Sequence, residues 1–181
     1  MSAEQIAALA AAAVLVFWML GAYNRLVTLR TDIGQAWATL EEALRQRGDT
    51  VVSLLAALRE PLAAEHGALD ALLAAQEGST HATAAMAARP VAEDRASDWV
   101  AAESALTAAA SRTLALVEQQ AELRAREPVA GLVHAWRELE PRLVFRRQKF
   151  NEAAFTYNAA LAQFPTRLLV ALFGFRRAGR I

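Results

Sequence analysis

IAALAAAAVLVFWMLGAY, residues 6–23, is a run of eighteen residues with no charged side chain and no proline. As an α-helix it rises about 27 Å at 1.5 Å per residue, close to the hydrocarbon thickness of a bilayer. Aromatic residues near the end of such a run are typical of the membrane interface. We therefore predict an N-terminal membrane anchor over residues 1–23, based on Ile6, Val14, Phe17, Trp18, Leu20 and Tyr23.

Two other interpretations of this run stay open. A cleaved signal peptide normally has a basic N-terminal region and a small-residue cleavage site, whereas the only charged side chain before the run is Glu4. A core helix of a soluble protein normally has a polar face, and residues 6–23 show none. A membrane span fits the run better than either.

The composition of the chain favours helices and excludes some classes of function. Hydrophobic residues make up 55%, largely through alanine, and there are only 8 glycines and 5 prolines, so we expect an all-α fold. The formal net charge of zero argues against nucleic acid as a partner. The absence of cysteine excludes disulfides and thiolate chemistry.

The charges that flank the anchor predict its orientation. No lysine or arginine precedes residues 6–23, whereas Arg25 and Arg30 follow them directly. Positive residues favour the cytoplasmic side of a span. We therefore expect the N-terminus outside and the rest of the chain in the cytoplasm.

A regular apolar pattern continues directly from the anchor. Its spacings of mostly three and four residues are typical of the seam of a helical bundle. No proline occurs before Pro61, so the anchor helix should continue without a linker into the first bundle helix. The seam positions are Leu26, Leu29, Ile33, Trp37, Leu40, Leu44, Arg47, Val51, Leu54 and Leu58.

The rest of the chain predicts three more helices, and with them an antiparallel four-helix bundle over residues 24–165. A shorter second helix follows Pro61 and ends near Gly78, and residues 78–94, small and polar, are expected to form a loop. The third helix spans about 93–126 and the fourth begins after Pro128. Pro141 should kink this last helix or, as we prefer, mark the junction of two helices.

The C-terminal tail, residues 166–181, combines apolar residues with arginines and has no acidic residue. In an antiparallel bundle the fourth helix returns to the membrane, so this tail should lie at its surface on an anionic leaflet. Alternatively, its apolar residues cap the base of the bundle. The residues that carry the membrane-surface hypothesis are Arg167, Phe173, Phe175, Arg176, Arg177 and Arg180.

Three blocks resemble the LemA family of bacterial membrane-anchored helical proteins. They are YNRLVTLRTDIGQAW (residues 23–37), RLVFRRQKFNEAAFTYNAAL (residues 142–161) and FPTRLLVALFGF (residues 164–175). The resemblance implies one membrane span, a four-helix bundle and a location in the bacterial inner membrane, with no defined reaction. Its motif residues here are Tyr23, Asn24, Trp37, Tyr157, Asn158, Phe164 and Pro165.

The chain also departs from the family pattern. Val52 stands at a family proline position, Phe150 replaces the first tyrosine of the second block, and Gln120 and Ala121 stand where Tyr-Pro is usual. The chain thus resembles a divergent member, and site residues carry over less firmly than the fold.

Two arginines at seam positions predict a polar layer inside the bundle. Arg47 lies on the first helix and Arg147 or its neighbour Arg146 on the fourth, and a buried guanidinium requires a carboxylate or amide partner. The proposed partners are Asp49, Glu65, Glu140 and Asn151. Such a layer either fixes helix register, which we favour, or binds an anion or transmits a signal.

The remaining residues give no support for catalysis. The three histidines lack the spacing of metal ligands, and neither a nucleophile elbow nor a phosphate-binding glycine loop occurs. Trp37, Trp99 and Trp136 lie on apolar faces and are expected in the core. The Tyr23-Asn24 and Tyr157-Asn158 pairs should lie at the membrane end of the bundle, where we favour packing over hydrogen bonding at the interface or contact with a neighbouring subunit.

We therefore predict a non-enzymatic, single-pass membrane protein without cofactors. Its bundle would serve as a scaffold or assembly module that self-associates through the anchor and the bundle flank. The alternative is an adaptor that presents a partner protein or peptide to a membrane enzyme, with the expected loop at residues 78–94 as the contact.

Overall fold

The computed structural model describes residues 2–164 and 166–181, and all regular structure in these ranges is helical. The helices are connected by short turns, one of which contains the 3-10 turn Ala63–Glu65. They are α1 (Ala3–Leu58), α2 (His66–Ala88), α3 (Glu93–Gln119), α4 (Ala121–Ala125), α5 (Val129–Ala162) and α6 (Arg167–Phe173).

Helix α1 is 56 residues long, or about 84 Å at 1.5 Å per residue. Ser2 caps it by accepting a hydrogen bond from the backbone of Gln5, whose side chain binds back to the Ser2 backbone. The prediction that the apolar run continues without a linker into the next helical segment is confirmed. The predicted seam is confirmed too, because every position from Leu26 to Leu58 is buried except Leu29, which is half-buried.

Neighbouring helices pack antiparallel. Helix α1 packs on α5, where Trp37 contacts Phe150 and the Arg25 guanidinium donates to Gln163. Helix α2 packs on α3, where Ser79 donates to Glu103. Thr83, four residues later in α2, accepts from Trp99, which lies four residues before Glu103 in α3.

The centre of the apolar core is aromatic. Trp37, Trp99 and Phe150 come from three different helices and are at most 1% exposed. The Trp37 ring lies edge-on to the other two, with centroids 5.6 and 5.8 Å away. Edge-to-face pairs of this kind add to the free energy gained by burial. The prediction of core positions for Trp37, Trp99 and Trp136 is confirmed.

The loop predicted for residues 78–94 is wrong over most of its length. Helix α2 continues through it to Ala88, and the turn to α3 consists of residues 89–92 only. Small polar residues favour loops, but Ser79 and Thr83 are buried, and their hydroxyls are hydrogen-bonded. With Ala82 and Met86 they give α2 a buried face at helical spacing.

Two other predicted boundaries need correction. The third helix ends at Gln119 rather than near residue 126, and the short α4 follows a break at Gln120. The junction preferred at Pro141 is wrong, because α5 runs through it without a break. Pro141 is exposed, while Leu139 and Leu143 on either side of it are buried and keep the helix on the core.

The last residues pack on the other helices. Helix α6 ends at Gly174, which has a φ of 67°, a left-handed value that glycine adopts without strain. Residues 175–181, which we call the strap, have no helical structure. The strap follows α5 back toward its N-terminal end and covers part of it, as Ala178 is 5% exposed.

Candidate functional site

The first twenty residues of α1 extend beyond the packed helices. Its best 18-residue window has a mean hydropathy of 2.2, and none of that window is buried. Val14 is 68% exposed and Phe17 75%, while Trp18 is half-buried. A helix of this length and composition is able to cross a membrane. The other anchor positions, Ile6, Leu20 and Tyr23, are exposed as well.

An aromatic cluster lies where the apolar run ends. The Tyr23 ring has its centroid 5.1 Å from that of Phe173 and 5.7 Å from that of Phe175. Tyr23 therefore connects α1 with both α6 and the strap. Of the tail arginines, Arg167, Arg176, Arg177 and Arg180 are all exposed.

A buried ion pair connects α1 and α3. Both terminal nitrogens of Arg47 donate to the carboxylate of Glu103, at 2.8 and 2.7 Å, and the Ser79 hydroxyl donates to the same carboxylate at 2.6 Å. The side chains of Arg47 and Glu103 are only 6% and 8% exposed. A bidentate pair of this kind fixes the relative register of two helices.

The surroundings of this pair come from two further helices. The Arg47 guanidinium lies 5.8 Å from the ring centroid of Trp136 on α5. Gln76 on α2 is also buried, and among residues 2–164 and 166–181 its Oε1 and the Nε of Arg47 have no hydrogen-bond partner. The polar layer therefore involves α1, α2, α3 and α5.

The layer differs in membership from the prediction. Arg47 is in it, but its carboxylate partner is Glu103, which sequence analysis missed; Asp49 is exposed and pairs with Arg45. Glu103 lies four residues after Trp99 and three before Leu106 on the buried face of α3. A carboxylate at a seam position opposite a seam arginine was the signal that would have identified it.

The other predicted members of the layer lie elsewhere, and two of them, Glu65 and Glu140, are exposed. Arg147 is half-buried, with its guanidinium 5.4 Å from the ring centroid of Trp99, the geometry of a cation–π contact. Asn151 faces the strap. Its amide nitrogen donates to the carbonyl of Ile181, and its Oδ1 accepts from the Ile181 N–H at 2.9 Å.

A second asparagine holds the strap in the same way. The Asn158 side chain donates to the Ala178 carbonyl at 2.9 Å and accepts from the Ala178 N–H at 2.8 Å. The Tyr157 hydroxyl donates to the carbonyl of Arg176 at 3.0 Å. Burial raises the pKa of this hydroxyl above its ordinary value, although the charge of Arg30 opposes the shift.

The family-motif residues thus divide between core and tail contacts. Trp37 is in the core, Tyr157 and Asn158 bind the strap, and Tyr23 packs on Phe173 and Phe175. Asn24 is exposed, Phe164 is 74% exposed and Pro165 lies outside the described residues.

Residues with metal-binding side chains are dispersed. Over residues 2–164 and 166–181 there is no group of three or more His, Asp or Glu side chains that would hold an ion. His66, His81 and His134 are all exposed.

Comparison with known proteins connects the chain with one family. The model of the family described as LemA family matches residues 36–180. The magnetosome proteins MamQ 1 and MamQ 2 of Paramagnetospirillum magneticum (strain AMB-1) are each 33% identical over 70 residues, 39% of this chain and 26% of theirs. MamQ of Magnetospirillum gryphiswaldense (strain MSR-1) is 30% identical over 69 residues, 38% of this chain and 25% of its own. The match spans about a quarter of the length of these relatives.

Proposed function

The chain belongs to the LemA family, and on that basis we propose that it is a non-enzymatic, single-pass membrane protein that serves as an assembly scaffold. Residues 1–23 anchor it, residues 24–165 form an antiparallel four-helix bundle of α1, α2, α3 and α5, and residues 166–181 close the membrane-facing end. Several copies associate through the anchor and the bundle flank.

One observation carries the proposal. The apolar first part of α1 is unburied and continues as the same helix into the packed core. An apolar helix left in water would cost about 25 cal/mol per Å² of exposed surface, whereas a bilayer covers it. Since no linker separates anchor and core, the bundle is held at a fixed position relative to the membrane. Such rigid placement suits a scaffold.

The contacts between helices support the bundle. Successive long helices pack antiparallel, and the Arg47–Glu103 pair with Trp136 and Ser79 brings all four together in one layer. The pair fixes which residues face each other, in keeping with a register function rather than an anion site.

Charge and aromatic residues support a cytoplasmic bundle in the inner membrane. Arg25 and Arg30 follow the span and are exposed. Phe173 and Phe175 lie against Tyr23, at the level where the span ends. With Arg167, Arg176 and Arg177 exposed nearby in sequence, this end presents apolar and cationic groups together, which is the composition that binds an anionic leaflet.

Exposed apolar residues on α5 support association of copies. Val144, Phe145 and Phe155 are 62%, 58% and 66% exposed. Exposed large apolar side chains close together on one helix are typical of a surface that another protein covers.

Extraction from mild detergent tests the scaffold hypothesis. Membranes are first washed with alkaline carbonate, and retention of the chain in the pellet is expected for a spanning anchor. Size-exclusion chromatography with light scattering should then give one complex of several copies. The matched control replaces Val144 and Phe155 with serine, which should shift the complex toward the monomer.

Two results would contradict the proposal. Release by carbonate, or a monomer at all concentrations in detergent, is incompatible with an anchored, self-associating scaffold. Co-purification of a second protein at fixed stoichiometry with a single copy of the chain would favour the adaptor hypothesis instead.

A further inference from the structure

Asn151 and Asn158 bind the strap through its backbone alone. Each side-chain amide bonds both the N–H and the C=O of one strap residue, as a neighbouring β-strand would. The asparagines are two helical turns apart, about 10 Å along the axis, and Ala178 and Ile181 are three residues apart, also about 10 Å in an extended chain. The two spacings match, so the asparagines form a clamp for an extended segment.

The groove beside the clamp also limits the size of the side chains that a bound segment can have. A Cβ on Gly179 would lie 2.5 Å from the Cβ of Ala96 and 3.0 Å from the Cα of Glu93, both on the first turns of α3. The preceding residue, Ala178, is 5% exposed. The groove between α3 and α5 therefore accepts an extended segment with two small residues in succession, as the strap has.

The connection to α6 and the length of the strap would allow it to reach a neighbouring copy. It follows Gly174, whose left-handed conformation separates it from α6, and its seven residues reach about 23 Å when extended. The clamp bonds would be the same whichever copy of the chain supplies the backbone.

The surface next to the clamp is apolar and exposed. Val144 and Phe155, both more than 60% exposed, line one cleft with Asn151 and Ile181. Two large apolar side chains beside the end of the strap are the surface that an incoming copy would bury.

We propose that the clamp accepts the strap of a neighbouring copy in exchange for its own, so that copies are joined side by side. The inference rests on the self-association in the proposed function and names its contact. Confinement by the anchor raises the local concentration of straps, which is what makes exchange between copies competitive with binding in the same copy. Reciprocal exchange preserves the clamp bonds, because the asparagines of each copy bind strap backbone in either arrangement.

Cysteine trapping tests this directly, because the natural chain has no cysteine. Two full-length copies with different tags are co-expressed, one with Gln148→Cys and the other with Ile181→Cys, positions that line the same cleft. Membranes are oxidised with copper phenanthroline. A chain with both substitutions controls for reach, since it should give a disulfide whichever copy supplies the strap. In a second control the copy with Ile181→Cys also has Gly179→Leu.

We expect a disulfide between the two tagged copies that Gly179→Leu reduces at least tenfold. If the doubly substituted chain gives the disulfide within one chain, but the mixed copies give none while the detergent complex keeps its size, exchange is refuted and self-association stands. If the mixed copies give none and the protein is a monomer, both proposals fail. If even the doubly substituted chain gives no disulfide, the docked strap is refuted and exchange with it.

Discussion

Arg47 and Glu103 are charged groups inside an apolar seam, and their contribution to stability depends on what replaces them. Each is the main hydrogen-bond partner of the other, and the Ser79 hydroxyl also donates to Glu103. Removing one charge leaves the other buried without a counter-ion, whereas removing both leaves a site that apolar side chains can fill.

We predict that Arg47→Met alone reduces the free energy of unfolding by about 3–5 kcal/mol, while Arg47→Met with Glu103→Leu costs about 1 kcal/mol or less. Urea unfolding in detergent, followed by the fluorescence of the buried tryptophans, measures this. Arg45→Met, which breaks an exposed pair with Glu42, is the matched control and should change little. A double variant as unstable as the single one would show that the pair does more than fix register.

Tyr157 gives a pH dependence on the alkaline side. Burial raises its pKa above the ordinary value of 10.0, so the folded state holds this proton more tightly than the unfolded state. The resulting stability is complete below about pH 10 and is lost as pH rises through the folded value.

We therefore predict that Tyr157→Phe costs about 1 kcal/mol near neutral pH through the lost hydrogen bond to Arg176, and that this difference shrinks above pH 10. Unfolding curves of both proteins between pH 7 and 11 provide the measurement. The difference should be constant from pH 7 to 8.5, which serves as the internal control. A difference that grows with pH would contradict the assignment.

Among the helices, the features that follow from the spacing of apolar residues were predicted correctly. The features that depend on partners from other segments were missed. The seam of α1 follows from spacing alone, and its buried residues agree with the prediction. The C-terminal half of α2 was missed because Ser79 and Thr83 count as loop formers until their partners, Glu103 and Trp99, are known. The strap contacts were missed because an asparagine that binds backbone has no periodic signal.

The effect of Pro141 on α5 was also not predicted from the sequence, and a substitution tests it. It lies inside α5 on the exposed face, where it removes a backbone donor without ending the helix. We predict that Pro141→Ala raises the unfolding free energy by about 1–3 kcal/mol. Glu140→Ala, an exposed neighbour, should change it by less than about 0.5 kcal/mol. If Pro141→Ala destabilises the protein, the proline itself is needed for the packing of α5.

For the whole molecule, an exposed apolar helix is continuous with the packed core, and Phe173 and Phe175 of the C-terminal segment lie against Tyr23, near the point where the two meet. Composition and the apolar run predicted an all-helical protein with one possible span, and the structure agrees on both. The location of Arg47 in the seam was predicted, but Glu103 and the clamp residues are brought to their sites only by the packing of distant segments.

We propose that residues 6–23 cross the membrane and leave the bundle in the cytoplasm. Labelling of single cysteines on the two sides of the membrane tests this topology. Glu4→Cys lies before the apolar run, and Gly67→Cys lies in the first turn of α2, where an added Cβ meets no other atom within 4 Å. Spheroplasts are treated with a membrane-impermeant maleimide before or after lysis. We expect Glu4→Cys to be labelled in intact spheroplasts and Gly67→Cys only after lysis. Labelling of both cysteines in intact spheroplasts would contradict the span, and labelling of Gly67→Cys alone would reverse the orientation.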